Sequence, residues 1–278
     1  MSEREAIIRK MAKKKVVHHL PGMEALPVRR DLTYRSTSGS QLPLDIYYPP
    51  STDRRAPVVL APLAYPDPQG GVRTFGPLTS WAQLMAASGM AAVLYANEKP
   101  SEDADAALQY LRSSADTLML DVQRLGLFAA SGNATVALAT VMRDRGVRCA
   151  ALMCGYTMDL DDSTAVADMS LQYGFVNACA GKSIDDFPID VPLLLVRAGH
   201  DFSPGLNEAL DRVIGRSLGR NLPLTVINHA TGSHSFDIDE DAAISTDIIR
   251  QVLGFLHRHL VTPASSTAAD AGSRLLNP

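Results

Sequence analysis

"LGLFAASGNATVALATVMRDR", residues 125–145, decides the fold. Residues 125–130 are apolar without alternation. A strand apolar on both faces fits a parallel sheet covered by helices on either side. A helical pattern takes over after Ser131 and reaches about Arg145. Ser131 therefore stands at the seam between a buried strand and a helix. A residue on so tight a turn is pushed out of the packed layers and needs small neighbours, which Ala129, Ala130, Gly132 and Ala134 provide. The helix behind it offers free N–H groups and a positive dipole end, which favour developing negative charge. That suits a nucleophilic hydroxyl. It equally suits a helix N-cap. This stretch alone leaves both readings open, and the later strand ends decide between them.

The rest of the chain repeats the pattern. Short apolar runs occur as "PVVLAPL" from Pro57, "MAAVLY" from Met90, "CAALMC" from Cys149, "PLLLVRA" from Pro192 and "LTVI" from Leu224. Two earlier strands, 31–36 and 44–48, flank a Ser/Gly turn. Helical patterns lie between the runs, at 78–88, 103–117, from after Ser131 to about 145, after Pro204, and at 242–260. Alternation of this kind predicts an α/β fold, with a mostly parallel, doubly wound central sheet flanked by helices and right-handed crossovers.

Residues 28–261 are expected to form this domain. Within it, 156–190 is irregular and acidic. It reads either as a small cap insertion or as an extra helix with loops. Residues 1–27 read as a peripheral segment, with Ile7, Ile8 and Met11 on one helical face; packing on the body or on a second copy, giving a homodimer, is the expectation. Residues 262–278 are small and polar and read as a flexible tail.

Bulk properties narrow the function. The 278 residues suffice for one large α/β domain or two small ones. A net charge of -4, with no basic stripe, gives nucleic acid no footing. No apolar run approaches the roughly 18 residues of a membrane span. The N-terminus lacks the apolar stretch and cleavage site of a secretory signal. Cys149, Cys154 and Cys179 are too few and too odd for a disulfide framework, and no spacing matches a zinc site. A cytoplasmic protein is expected. No metal, nucleotide or flavin signature appears, so no cofactor is expected. "DPQGGVRTFG" lacks the Lys-Ser/Thr ending of a phosphate loop and reads as a site loop or a plain turn.

Two later strand ends supply partners for Ser131. "PLLLVRA" is followed by Gly199, His200 and Asp201, and "LTVI" by "NHATGSHSFD", which holds His229 and His234. In a doubly wound sheet, ligands gather at these carboxyl ends. A serine, an acid and a histidine, each just past a separate strand, make the arrangement a Ser–acid–His triad requires.

This order resembles the α/β-hydrolase fold, and within it the dienelactone-hydrolase-like serine esterases. "LPLDIYYPP" with "APVVLAPL", "GLFAASGNA", "LLLVRAGHDFSPGLNEALDR" and "HATGSHSFD" carry the resemblance, which spans about residues 31–260. It implies Ser131 as nucleophile, Asp201 as acid and His234 as general base. His229 is the runner-up base, and Asp159, Asp161 and Asp162 are runner-up acids. Gly132 N–H is the implied first oxyanion donor. The second comes from the loop after the third strand. Pro62 has no N–H, so Leu63, Ala64 or Tyr65 supplies it, Ala64 being the first choice. Such a donor is worth about 3 kcal/mol. Tyr65 is also a candidate substrate-binding residue. Trp81 reads as core or pocket.

Two departures stand out. The family's Gly-x-Ser-x-Gly turn reads Ala129-Ala130-Ser131-Gly132-Asn133 here, and the His-Gly-Gly of many esterases is replaced by "LAPLAYPDPQGG". The expected function is hydrolysis of small-molecule carboxylic esters through an acyl-enzyme. Thioesterase or acyltransferase activity on the same triad, or a non-catalytic ligand- or partner-binding protein, are the alternatives.

Overall fold

The computed structural model describes residues 12–36, 41–51 and 53–261. The expected helical face at Ile7, Ile8 and Met11 and the tail at 262–278 lie outside these residues. Eight strands form one sheet: β1 (Val28–Ser36), β2 (Gln41–Tyr47), β3 (Ala56–Leu60), β4 (Ala91–Tyr95), β5 (Leu120–Ala130), β6 (Val147–Met153), β7 (Leu193–Ala198) and β8 (Leu224–His229). Their spatial order is β1-β2-β4-β3-β5-β6-β7-β8. β1 and β2 run antiparallel to their neighbours, and the other six strands are mutually parallel. The doubly wound, mostly parallel sheet expected from the apolar runs is the one observed.

The period of two along each strand divides the core into two layers. On β5, Leu125, Leu127 and Ala129 enter one layer while Phe128 enters the other. On β6 and β7 the same alternation sends Leu152 and Leu195 one way, and Met153 and Val196 the other. Helices α1 (Gly76–Ala87) and α7 (Ala243–Leu260) cover the Phe128 face. Helices α2 (Pro100–Ser113), α3 (Ala134–Arg143) and α5 (Leu206–Gly219) cover the opposite face. Covered on both sides, these strands have no polar face to show, which is why their sequences do not alternate. Phe128 is buried against Trp81, ring centroids 4.5 Å apart. Burying one such ring contributes roughly 1.5–3 kcal/mol. Trp81 thus belongs to the core.

Element ends differ from the sequence reading where side-chain periodicity is silent. β1 starts at Val28 rather than 31, because a bulge at Asp31, in left-handed backbone (φ 56°), interrupts its alternation. β5 extends back to Leu120 through a polar, partly exposed stretch that pairs with Ala56 and Pro57. α2 starts at Pro100, whose fixed φ and missing N–H suit a first helical position. There Asp103 Oδ2 accepts the backbone N–H groups of Glu98 and Lys99, each at 2.7 Å.

Residues 156–190 hold one helix, α4 (Ala165–Tyr173), a 3-10 turn (Ile184–Asp186) and loops. A last short helix, α6 (Phe236–Asp239), precedes α7. "DPQGGVRTFG" is a tethered turn. Asp67 accepts the N–H groups of Gly71 and Val72, and Arg73 pairs with Asp45 and Asp31. The three cysteines are buried and free, and burial pushes the Cys149 and Cys179 thiols up to about 12. Among the described residues no helix is long and apolar enough to cross a membrane. No group of three or more His, Cys, Asp or Glu side chains among them is placed to hold a metal ion.

Candidate active site

The site assembles at the carboxyl ends of β5, β7 and β8. Ser131 directly follows β5 and opens a single 3-10 turn, Ser131–Asn133, that leads into α3. Its φ is +56°, the left-handed region that non-glycine residues seldom adopt. This bend turns the side chain out of the strand, and the surrounding structure holds the strain. Ser131 does not act as a side-chain cap: the turn and α3 have no side-chain capping bond. Its Oγ instead lies 3.0 Å from Nε2 of His234.

His234 sits on the loop after β8. Its Nδ1 lies 2.6 Å from Oδ2 of Asp201, on the loop after β7. The other carboxylate oxygen, Oδ1, accepts the Ser203 N–H at 2.9 Å. Burial pushes the Asp201 carboxyl up, but the His234 hydrogen bond and charge, together with Ser203, outweigh it and hold the group below its usual range. A buried carboxylate on Nδ1 fixes the imidazole tautomer and leaves Nε2 to accept a proton from Oγ. Asp201 is 8% exposed and the His234 side chain 32%, so the carboxylate is shielded while the imidazole is open to solvent.

Two glycines let the loops meet. A Cβ on Gly199 would stand 1.9 Å from the Ala230 carbonyl oxygen, so the β7 and β8 loops touch backbone to backbone there. A Cβ on Gly132 would stand 2.7 Å from Tyr65 Oη and 2.8 Å from the Phe175 ring. The space a side chain would take beside Ser131 is filled by those two residues. Their rings meet edge to face at 6.0 Å.

The structure separates the candidates. His229 is 1% exposed, lies edge-on to Phe236 at 5.0 Å, and neither of its ring nitrogens hydrogen-bonds. Its Nε2 is 3.7 Å from Glu240. Asp159 accepts the Val166 and Ala167 N–H groups and so starts α4. Asp161 pairs with Arg216. His200 stacks beside Phe202, centroids 6.2 Å apart.

The Ala64 N–H, expected as an oxyanion donor, donates to Asn133 Oδ1 at 2.8 Å. The Leu63 N–H donates to Tyr95 Oη at 3.3 Å.

Sequence reasoning missed four contacts. Phe175 roofs Gly132, and its neighbour Val176 ties 156–190 to the site by donating to the Ala64 carbonyl at 2.8 Å. Thr135 Oγ1 donates to the Val176 carbonyl at 2.7 Å. Trp81 Nε1 donates to Asp237 Oδ2 at 2.8 Å, anchoring α6 just after His234; burial pushes that carboxyl up. Only Asn133, placed where the resembled motif has glycine, carried a visible signal.

No protein-family model and no curated protein sequence matches the chain. Solved structures do. A bacterial heroin esterase superposes with a TM-score of 0.68 at 16% identity, covering 92% of this chain and 90% of that one. A doubly substituted mutant of esterase rPPE superposes with a TM-score of 0.71 at 14% identity, covering 95% and 91%. The hyperthermophilic esterase of the archaeon Pyrobaculum calidifontis gives 0.65 at 16% identity, covering 91% and 90%. At such identities the likeness is one of fold, and the fold of this chain is the α/β-hydrolase fold of those esterases.

Proposed function

We propose that this chain is a serine hydrolase of small-molecule carboxylic esters. One observation carries the reading: Oγ of Ser131, the imidazole of His234 and the carboxylate of Asp201 form one hydrogen-bonded line, with separations of 3.0 and 2.6 Å. Each member comes from the end of a different strand, while Asp159 is taken up by the Val166 and Ala167 N–H groups and Asp161 by Arg216.

In this mechanism Ser131 Oγ attacks the ester carbonyl carbon while its proton passes to His234 Nε2. Asp201 stabilises the imidazolium so formed. The Gly132 N–H, next to the nucleophile, faces the negative carbonyl oxygen. Collapse of the tetrahedral species breaks the ester C–O bond, and the departing alkoxide takes the proton from Nε2. Water then gives a proton to Nε2 and attacks the acyl-enzyme. The proton returns to Oγ as the carboxylic acid leaves. A thioester or an alternative acyl acceptor would use the same steps, so the pocket chooses among them. The three free, buried thiols accord with a reducing compartment such as the cytoplasm.

The test is turnover of p-nitrophenyl esters of increasing acyl length by the wild type and by Ser131→Ala. The variant should lose at least about 10⁴-fold in kcat and keep its fold. A fluorophosphonate should label Ser131 in the wild type. Full activity in the variant, or an unlabelled wild type, refutes the reading. Ligand-dependent stabilisation without labelling would instead support the non-catalytic alternative.

A further inference from the structure

We propose that Asp237 is a positioning residue for His234, and that residues 14–17 and α1 together brace it through a closed set of hydrogen bonds. The proposal rests on the serine-hydrolase reading and deepens it.

His234 is tied to α6 on both sides. The Ser233 N–H, just before it, donates to Glu240 Oε1 at 2.8 Å. The Ser235 carbonyl, just after it, accepts the Ile238 and Asp239 N–H groups at 2.9 Å. The imidazole therefore moves with α6 and the residue that caps it. Yet α6 is a single turn of four residues, too short to hold a fixed place by its own hydrogen bonds. Its position must come from what it is fastened to.

The fastening converges on Asp237. Trp81 Nε1 donates to its Oδ2 at 2.8 Å, and the Val17 N–H donates to its carbonyl at 2.8 Å. The ring closes because the Val16 N–H donates to Ser80 Oγ at 2.9 Å, and Ser80 precedes Trp81 on α1. Lys14 adds an ion pair with Asp239. The segment lies backbone-on against α1, where a Cβ on Gly76 would stand 2.2 Å from the Lys14 carbonyl oxygen. Phe236, fully buried, shares its core layer with Val16 and Trp81.

A carboxyl is a costly anchor in this place. Asp237 is 8% exposed, and burial pushes its carboxyl up more than the indole bond and the nearby His234 charge bring it down. An apolar side chain would fill the same space at lower cost. It could not fix α6 in direction, because an apolar contact slides where a hydrogen bond does not. The Nε2 of His234 must stay 3.0 Å from Ser131 Oγ, and a small displacement of a reacting group costs much of the rate.

The experiment measures ester turnover per folded molecule in four variants of the full chain, the folded fraction coming from circular dichroism at the assay temperature. Trp81→Phe keeps a ring against Phe128 and removes the donor; kcat should fall about 10-fold or more with KM within a few-fold. Asp237→Leu should do the same. Asp237→Asn keeps an oxygen for the indole N–H and should hold kcat within about threefold of the wild type. Ser80→Ala frees the Val16 N–H at the far end of the brace and should lower kcat with KM unchanged. It decides the matter alone should the core variants fail to fold. Trp81→Phe or Ser80→Ala with the kcat of the wild type overturns the proposal. So does a loss of turnover that only follows the folded fraction, which marks a structural role. Asp237→Asn falling as far as Asp237→Leu also overturns it, by assigning the effect to charge. A fluorophosphonate separates the two levels: an unlabelled wild type refutes the hydrolase reading, and a labelled, active wild type matched by Trp81→Phe refutes this proposal alone.

Discussion

Asn133 Oδ1 accepts the backbone N–H of Ala64 at 2.8 Å, across 69 residues of sequence. This bond joins the loop after β3 to the turn that carries Ser131. A glycine at 133 could not make it. The departure from the Gly-x-Ser-x-Gly pattern thus has a structural consequence: one side chain clamps two of the loops that build the site.

Breaking that clamp should cost stability. Asn133→Ala leaves the Ala64 N–H half-buried without its acceptor, a loss of about 1–2 kcal/mol. Urea denaturation should show a lower midpoint with an unchanged slope. An unaltered midpoint would mean that water replaces the amide at no cost.

Ser131 is strained for the sake of its position. Its φ of +56° suits glycine far better than a residue with a Cβ. Ser131→Gly should therefore melt above the wild type, by about 1 kcal/mol of added stability, while ester turnover is lost. Calorimetry on both proteins checks this. A variant less stable than the wild type would show that the hydroxyl's bond to His234 outweighs the strain.

Asp201 should make stability depend on acid. Burial raises its carboxyl, yet His234 and Ser203 bring it below the usual range. A carboxyl with a depressed folded pKa binds fewer protons in the native state. Its stabilisation is complete above the unfolded value of about 4 and is lost as pH falls through the lower folded value. Asp201→Asn should be less stable than the wild type at about pH 7, and the gap should close as pH drops through this range. Denaturation at a series of pH values from about 7 down to about 3 measures it, and a constant gap would contradict the linkage. Turnover at neutral pH should fall by roughly 10⁴-fold, because the imidazole loses its correct tautomer and its counter-charge.

Gly199 should tolerate nothing larger. A methyl group there would stand 1.9 Å from the Ala230 carbonyl oxygen, backbone against backbone. Gly199→Ala must push the β7 loop from the β8 loop, separating Asp201 from His234. A destabilisation of about 3 kcal/mol or more is expected, with activity falling further than the population of folded protein explains. A variant as stable and active as the wild type would mean that these loops part freely.

Much of the architecture was legible from local pattern. Residues 125–130, without a polar face, announced a strand buried on both sides, and β3, β4, β6 and β7 announced themselves the same way. Strand ends were less legible. Leu120 and Val28 begin strands in polar or bulged stretches whose side chains do not alternate, and there backbone pairing with a neighbour determines the boundary.

The amino-acid sequence by itself determined the order of the elements, because burial of a strand on two faces or of a helix on one leaves a period in the chain that bears it. It also set a serine, an acid and a histidine each beyond the end of a strand. Only the tertiary structure decided which of them meet. Ser131 and His234 are 103 residues apart, and Asp201 joins them rather than Asp159, while His229 stays buried beside Phe236. The same holds for Asn133 and Ala64, and for Tyr65 over Gly132. Hydrogen bonds act over about 3 Å. Whether two distant side chains come that close depends on strand order, loop path and the absence of a Cβ at Gly132 and Gly199, none of which leaves a period in the sequence.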